Sequence, residues 1–273
     1  MDNRTFLVAC ATFMEMRAFF ARLPGADTVF GGFADKNELY HGLLPRLDLT
    51  PDLSLLPLVC GVGPVAAALS LGRVLGGACA QEREGNGLFG LIITGLAGAY
   101  DPIAAPVGSL VLAQVECLPE YGLWPDAGEG IKGSVRGPGE PETMTLPQWQ
   151  DAAGQVFERL DMAPDKTLGR MGLSCHSYSR KSAPRRGVSL TVAGVSGTPG
   201  RARRLASLFQ GLTENMEGFP LALGARQAGL PCLEIRAVSN EAGFRPPHTW
   251  NPALALEALG EAGQMLFAPD QHI

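Results

Sequence analysis

The chain has 273 residues, of which 46% are hydrophobic and 18% are charged, so it is long enough and apolar enough to bury a full core. Its net charge of −5 and its sequence pI of about 5.4 leave no excess of basic side chains to neutralise a phosphate backbone, which argues against a nucleic-acid partner. The 35 glycines and 21 prolines are scattered without a repeat, which excludes a collagenous or low-complexity chain.

The cysteines predict a reducing compartment. None of them has the CxxC spacing of a zinc or redox site, and most lie in apolar runs that resemble buried strands. We expect no disulfide, no metal and no cofactor. The first apolar run, over residues 6–11, is far shorter than the ~18 residues of a membrane span. The sequence therefore predicts a cytoplasmic protein with no membrane partner.

The first part of the chain predicts strands that alternate with helices. A fully buried strand is expected over 6–11, followed by a helix over 14–23 with Glu15 near its start. A second buried strand is expected over 55–60, and a small-residue helix over 65–80. The first junction of strand and helix therefore carries an acid.

Glycines follow two of the predicted strands. Gly61 and Gly63 form a turn before the helix that starts at residue 65, and such a turn lets the backbone approach a ligand. The next strand is expected over 88–94 and is predicted to end at Gly95. A further strand over 107–115 follows too closely for a helix to intervene.

The middle of the chain is less regular. Residues 119–147 are rich in Gly, Pro and acids without periodicity, which predicts a long excursion that covers a site. A helix is expected over 151–160, a strand over 187–195 and a helix over 201–209.

The last third brings two polar groups to the ends of elements. Glu217 precedes a small-residue helix over 218–228, and Asn240 follows a strand over 232–238; a helix over 252–267 closes the chain. Buried strands alternating with helices predict one α/β domain over residues 1–273, with three layers, αβα, around a mixed sheet. An acid and an amide at one crevice of such a sheet suit a nucleoside, because the acid holds sugar hydroxyls and the amide holds a heteroaromatic ring.

Five motifs in order resemble those of the purine and uridine phosphorylase superfamily and, within it, the nucleosidases of the futalosine hydrolase type, which belong to menaquinone biosynthesis. The motifs are Ala11–Glu15, Cys60–Ala68, Thr94–Gly98, Asn215–Glu217 and Arg236–Asn240. Each motif alone is weak, since an acid at a helix start is often a surface residue and a glycine often only permits a turn. Their order along one chain is specific.

The resemblance implies a role for each site residue. Glu15 would orient and deprotonate a water, Glu217 would accept hydrogen bonds from ribose hydroxyls, and Met216 would pack against the sugar. Asn240 would assist the departing base, and because an aspartic acid is usual there for 6-aminopurines, the amide favours a 6-oxopurine such as hypoxanthine. The remaining substrate-binding residues are expected to be Gly61, Gly63, Gly95, Ser239 and Arg245.

Three alternatives stay open at this stage. Glu15 stands at the first-strand position and the central loop has no arginine, which favours water over phosphate as the nucleophile, but a phosphate-dependent purine nucleoside phosphorylase remains a rival. The others are a methylthioadenosine or adenosylhomocysteine nucleosidase and a nucleoside-binding protein without turnover. Related folds also imply a homo-oligomer.

Overall fold

A computed structural model describes the protein over residues 4–31, 41–81, 87–120, 159–175, 183–244 and 251–267, without the side chains of residues 78–81. The strands are β1 (Arg4–Cys10), β2 (Gly42–Leu43), β3 (Leu47–Thr50), β4 (Leu53–Val59), β5 (Leu88–Ala99), β6 (Leu110–Cys117), β7 (Arg159–Asp161), β8 (Arg185–Thr191), β9 (Gly211–Asn215) and β10 (Cys232–Glu241). The helices are α1 (Phe13–Phe20), α2 (Ala26–Phe30), α3 (Pro64–Gln81), α4 (Pro164–Met171), α5 (Pro199–Phe209), α6 (Gly218–Gln227) and α7 (Pro252–Phe267).

The strands form one mixed sheet in the order β10-β6-β8-β9-β5-β1-β4-β2. Strand β1 is parallel to β4 and β5, and β5 is parallel to β10, whereas β6 runs antiparallel to β10 and β9 runs antiparallel to β5. Because β10 also pairs with β5, the strands β5, β9, β8, β6 and β10 close into a ring. The strands that continue past this ring extend the sheet on one side.

Helices cover both faces of the sheet, as the apolar run of β1 predicts. Phe6 and Val8 pack with α1 and α7 in one core cluster, whereas Leu7 and Ala9 pack with α3 and α6 in another. Successive side chains of a strand point to opposite faces, so a strand that is buried on both faces is apolar at every position. The predicted three-layer α/β fold is confirmed.

Strand β5 does not end where the sequence predicts. It was expected to stop before Gly95, but it continues to Ala99 and stays paired with β10 along this stretch. Gly95 lies inside this strand with a φ of 139°, a backbone conformation that glycine adopts at little cost, so the glycine does not end the strand. This extension carries backbone groups of β5 into the region where other strands end.

Other boundaries differ from the predictions in smaller ways. Residues 159 and 160, expected at the end of a helix, lie in β7, and β8 ends at Thr191 because the chain turns there toward Ser196. The first part of that helix and most of the excursion over 119–147 lie outside the described residues. Short elements such as β9 were not predicted, because strands of a few residues carry little periodicity.

Helix α7 packs against α1 through two glycines. A Cβ at Gly260 would lie 3.1 Å from the carbonyl oxygen of Ala18, and a Cβ at Gly263 would overlap the carbonyl oxygen of Phe19. The missing side chains therefore let the two helix backbones approach closely. This contact closes the core on the α1 face of the sheet.

We expect Gly263→Ala to destabilise the protein by about 3 kcal/mol, because a methyl group meets rigid backbone rather than a movable side chain. Urea unfolding followed by circular dichroism measures the midpoint. Gly72→Ala in α3 is the matched control, because a Cβ there meets nothing within 4 Å. That change should stabilise the protein by up to about 1 kcal/mol. Equal midpoints for the two variants would contradict the packing described.

Candidate active site

One cavity of about 480 Å³ opens where several strands of the sheet end. Its acidic and amide lining comes from Glu15, Glu214, Asn215, Glu217 and Asn240. Among the described residues, the lining contains no lysine, arginine or histidine. The cavity is therefore acidic and has the size of a small organic ligand.

Glu15 is fixed at the start of α1. Thr12 is the N-cap residue of that helix and forms a capping box with Glu15, whose Oε2 accepts hydrogen bonds from the backbone N–H of Thr12 at 2.9 Å and from its hydroxyl at 2.8 Å. The other oxygen, Oε1, accepts from the N–H of Leu96 at 2.9 Å. Three donors thus hold a buried carboxylate at the cavity wall, with its acceptor oxygens oriented.

Glu217 stands at the N-cap position of α6 but does not cap it. Its Oε1 accepts from the N–H of Gly63 at 3.0 Å and its Oε2 from Nη1 of Arg236 at 3.4 Å. The Oδ1 of Asn215 caps the helix instead, accepting from the N–H groups of Glu217 and Gly218 at 2.9 and 2.7 Å. The carboxylate of Glu217 is thereby directed to the cavity.

The protonation of Glu217 is set by opposing effects. Burial raises the pKa of this carboxyl above its usual value, and the charge of Glu15 raises it further. The guanidinium of Arg236 and the N–H of Gly63 act against this rise in pKa. Arg236 therefore favours the charged form of an acid that burial would otherwise keep neutral.

Arg236 is a fully buried cation below the cavity. Its Nε donates to Glu234 at 2.8 Å and its Nη2 to Oδ1 of Asn215 at 3.2 Å. Burial acts to lower the pKa of Arg236, but the charges of Glu234 and nearby acids outweigh it and raise the pKa, so the guanidinium stays charged. Gly95 gives it room, since a Cβ there would lie 2.9 Å from Nη1 of Arg236 and 3.0 Å from Oε1 of Glu15.

A second buried acid lies beside Glu234. Burial and the charge of Glu234 raise the pKa of Glu116 well above its usual value, so the site favours the protonated form of this carboxyl. Its Oε1 accepts hydrogen bonds from the hydroxyl of Thr191 and from Nδ2 of Asn215, the latter at 3.3 Å. Both acids lie beneath the start of α6, where a Cβ on Gly218 would lie 2.6 Å from Glu234 and 2.8 Å from Glu116.

Asn240 reaches the cavity through an irregularity in β10. The register with β5 shifts between Val238 and Asn240, which marks a β-bulge, and bulges re-aim side chains at active sites. Ser239 donates its hydroxyl to Oδ1 of Asn240 at 2.8 Å and also contacts the carbonyl of Ala97 at 3.3 Å. Nδ2 of Asn240 donates to the carbonyl of Glu241 at 2.9 Å, and its second N–H is suited to a ligand.

Apolar side chains form the rest of the wall. Met216 follows β9 and directly precedes Glu217, and its side chain lines the cavity. Val62, Val195 and Phe244 also line the cavity and are partly exposed to solvent. An apolar wall with a few fixed polar groups is typical of small-molecule sites.

The structure brings most of the predicted site residues together. Those that line the cavity are Glu15, Met216, Glu217, Ser239 and Asn240. Gly63 donates its N–H to Glu217, and Gly95 leaves the space that the carboxylate of Glu15 occupies. Gly61 is not part of the lining; its φ of 86° forms the turn, and its N–H donates to the carbonyl of Ala11. Arg245 lies outside the described residues.

Four charged residues of this region have no role that the sequence predicts, namely Glu116, Glu214, Glu234 and Arg236. Three of them stand inside apolar strand runs, where a charge is seldom buried without a partner. That mismatch was a usable signal for Arg236 and Glu234, which form a buried pair. It did not show which distant residues would meet them.

Other chemistries find little support in the part of the chain that the structure describes. It contains no group of three His, Cys, Asp or Glu side chains placed to hold a metal, and none of its helices is long and apolar enough to cross a membrane. Burial and the charge of Glu217 raise the pKa of the Cys60 thiol to about 12, so this cysteine is protonated and a poor nucleophile.

Comparisons with known proteins identify related families of enzymes. The family model described as the phosphorylase superfamily matches residues 10–268. A protein of Streptomyces coelicolor named futalosine hydrolase is 33% identical over 207 residues, which is 75% of each chain. A futalosine hydrolase of Thermus thermophilus is 30% identical over 210 residues, which is 77% of this chain and 80% of that one.

Solved structures show the same fold at low identity. A 5′-methylthioadenosine/S-adenosylhomocysteine nucleosidase from Helicobacter pylori, crystallised with butyl-thio-DADMe-Immucillin-A, has a TM-score of 0.63 at 12% identity and covers 97% of both chains. The futalosine hydrolase of Helicobacter pylori has a TM-score of 0.62 at 12% identity, covering 97% of this chain and 96% of that one. At such identities the likeness concerns the fold alone.

The raised pKa of Glu116 predicts a pH-dependent stability. Above the ordinary carboxyl pKa of about 4.3, the folded protein keeps a proton that the unfolded chain has released, so this group's contribution to stability is lost as pH rises. As the pH rises from 4 to 8, we expect Glu116→Gln to become more stable relative to the native protein, by about 1.4 kcal/mol for each unit of pKa shift. Urea unfolding at each pH measures this difference.

The matched control for this change is Glu257→Gln, at an acid on the surface of α7. The two variants should diverge as the pH rises, because the buried carboxyl of Glu116 has a raised pKa. If the difference between Glu116→Gln and the native protein stays constant across the pH range, the raised pKa of Glu116 is wrong.

Proposed function

The chain belongs to the phosphorylase superfamily, and we propose that it is a nucleosidase that hydrolyses the N-ribosidic bond of futalosine to release hypoxanthine. The observation that carries this proposal is the meeting of Glu15, Glu217 and Asn240 in one cavity of about 480 Å³. The names of the curated relatives support the choice of substrate.

The sugar is proposed to bind at Glu217. When the bond between C1′ and the base breaks, positive charge develops on the ribose ring, and an acceptor carboxylate both binds the hydroxyls and stabilises that charge. The guanidinium of Arg236 lowers the pKa of Glu217 against the effect of burial and so favours its charged form, and Met216 packs against the apolar face of the sugar.

The water is proposed to bind at Glu15. This carboxylate takes a proton from the water while the water oxygen bonds to C1′ and the bond from C1′ to the base breaks. The departing base takes a proton from solvent and Glu15 returns its own proton to solvent, so the reaction consumes one water. The capping box and the N–H of Leu96 orient the two oxygens of Glu15 for this role. The amide of Asn240 donates to the base as negative charge moves onto it.

The electrostatics of the cavity favour water over phosphate. Its described lining carries acids and no basic side chain, and the nearby Arg236 is already paired with Glu234 and Glu217. Within the described lining, a phosphate dianion would meet like charges without a free cation to pair with. This supports hydrolysis against the phosphorylase alternative.

The homo-oligomer stays a prediction. Helix α3 exposes the apolar side chains of Val65 and Leu69 beside the cavity residue Val62, which supports a second copy of the chain on this face.

The proposed function is tested by incubating the purified protein with futalosine, inosine and 5′-methylthioadenosine, with and without phosphate. Chromatography of the free bases should show hypoxanthine from futalosine without any need for phosphate. Release of adenine from methylthioadenosine alone would establish the rival nucleosidase, and turnover that requires phosphate and yields ribose 1-phosphate would establish a phosphorylase.

Glu15→Gln separates an enzyme from a binding protein. We expect this change to abolish hydrolysis because an amide cannot accept the proton of the water, while nucleoside binding stays within about tenfold, or roughly 1.4 kcal/mol. Single-turnover kinetics and calorimetry measure the two quantities. Glu257→Gln removes the same charge from the surface of α7 and should keep full activity. Retained turnover in Glu15→Gln would remove Glu15 from the mechanism.

A further inference from the structure

We infer that Glu214 binds the ring N–H of a 6-oxopurine and thereby selects oxopurines over aminopurines. The inference rests on the proposed function and assigns the choice of base to a second side chain beside Asn240.

Glu214 lies at the base end of the cavity. It stands at the end of β9, is 2% exposed and lines the same cavity as Asn240. A Cβ at Gly98 would lie 3.4 Å from Cγ of Glu214 and 3.3 Å from Nδ2 of Asn240, so the two side chains flank this glycine. The missing side chain leaves open the space that they share.

Both carboxylate oxygens of Glu214 accept hydrogen bonds from groups that donate. Its Oε1 accepts from the N–H of Ser196 at 2.9 Å, and its Oε2 accepts from the hydroxyls of Ser196 at 2.7 Å and Tyr100 at 3.0 Å. The backbone N–H can only donate, and Arg201 donates to the hydroxyl of Ser196 at 3.1 Å, which directs the serine proton to Glu214. Burial and the charge of Glu214 raise the pKa of Tyr100, so the phenol keeps its proton and also donates.

A carboxylate offers about four acceptor positions, and three of those on Glu214 are filled by the protein. The remaining position can pair only with a donor. A 6-oxopurine has an N–H donor at N1, which can pair with the carboxylate of Glu214. It also has acceptors at O6 and N7, which can pair with the free N–H of the Asn240 amide. A 6-aminopurine has a lone pair at N1, which would face the carboxylate without a proton between them.

A purely structural role for Glu214 makes a different prediction. In that case Glu214 would only tie β9 to the loop after β8 through Ser196, and its loss would weaken both kinds of base equally. The ratio of the affinities for a 6-oxopurine and a 6-aminopurine therefore distinguishes a role in base selection from a structural role. Either affinity alone does not.

The test is calorimetric binding of hypoxanthine and adenine to the native protein, to Glu214→Gln and to Glu120→Gln. Glu120 is the matched control, because it pairs with Arg201 at the outer end of the same network and does not line the cavity. The native protein and Glu120→Gln should prefer hypoxanthine by about 100-fold, and Glu214→Gln should reduce this preference at least tenfold. Thermal unfolding of each variant checks its fold.

A second measurement needs no variant. 1-Methylhypoxanthine lacks the N–H at N1, and the native protein should bind it about 100-fold more weakly than hypoxanthine. Equal affinity for these two bases, an unchanged ratio in Glu214→Gln, or a native protein that binds neither base would overturn the inference. Since free bases bind without turnover, an intact base preference in a protein that leaves futalosine uncleaved would refute the proposed function and keep the inference.

Discussion

The guanidinium of Arg236 lies between Glu217 and Glu234 and is 1% exposed to water. A buried charge is tolerated only when partners satisfy it, and removing one partner of such a pair typically costs about 3–5 kcal/mol. The rest of the site follows from this constraint. Arg236 favours the charged form of the buried Glu217, and Asn215 connects the same cation to the start of α6.

The backbone supplies the geometry that this ion pair needs. Gly95 has a positive φ within β5 and leaves room between Arg236 and Glu15. The bulge in β10 places Ser239 and Asn240 at the cavity, although the strand itself continues to Glu241. These irregularities occur where several strands meet, which is where the acids and the amide have to converge from distant parts of the sequence.

The sequence predicted the parts of the fold that depend on local pattern. Helix α7 occupies 252–267 as expected, and the apolar run of β1 indicated a strand buried on both faces. Local pattern could not show that β5 continues past Gly95, because glycine permits both a turn and a bend. The motifs located Glu15, Glu217 and Asn240, but the pairing of Arg236 with Glu234 depends on tertiary contacts that no spacing encodes. The family match and the relatives confirm the superfamily that those motifs indicated.

The division of labour between Asn215 and Glu217 has a kinetic consequence. Since Asn215 satisfies the first N–H groups of α6, a sugar hydroxyl that approaches Glu217 does not compete with the backbone of that helix for the carboxylate. Substrate entry and product departure therefore need no fraying of the helix. A site assembled in advance spends little of its affinity on ordering its own groups, so more of it remains for distorting the bound ribose.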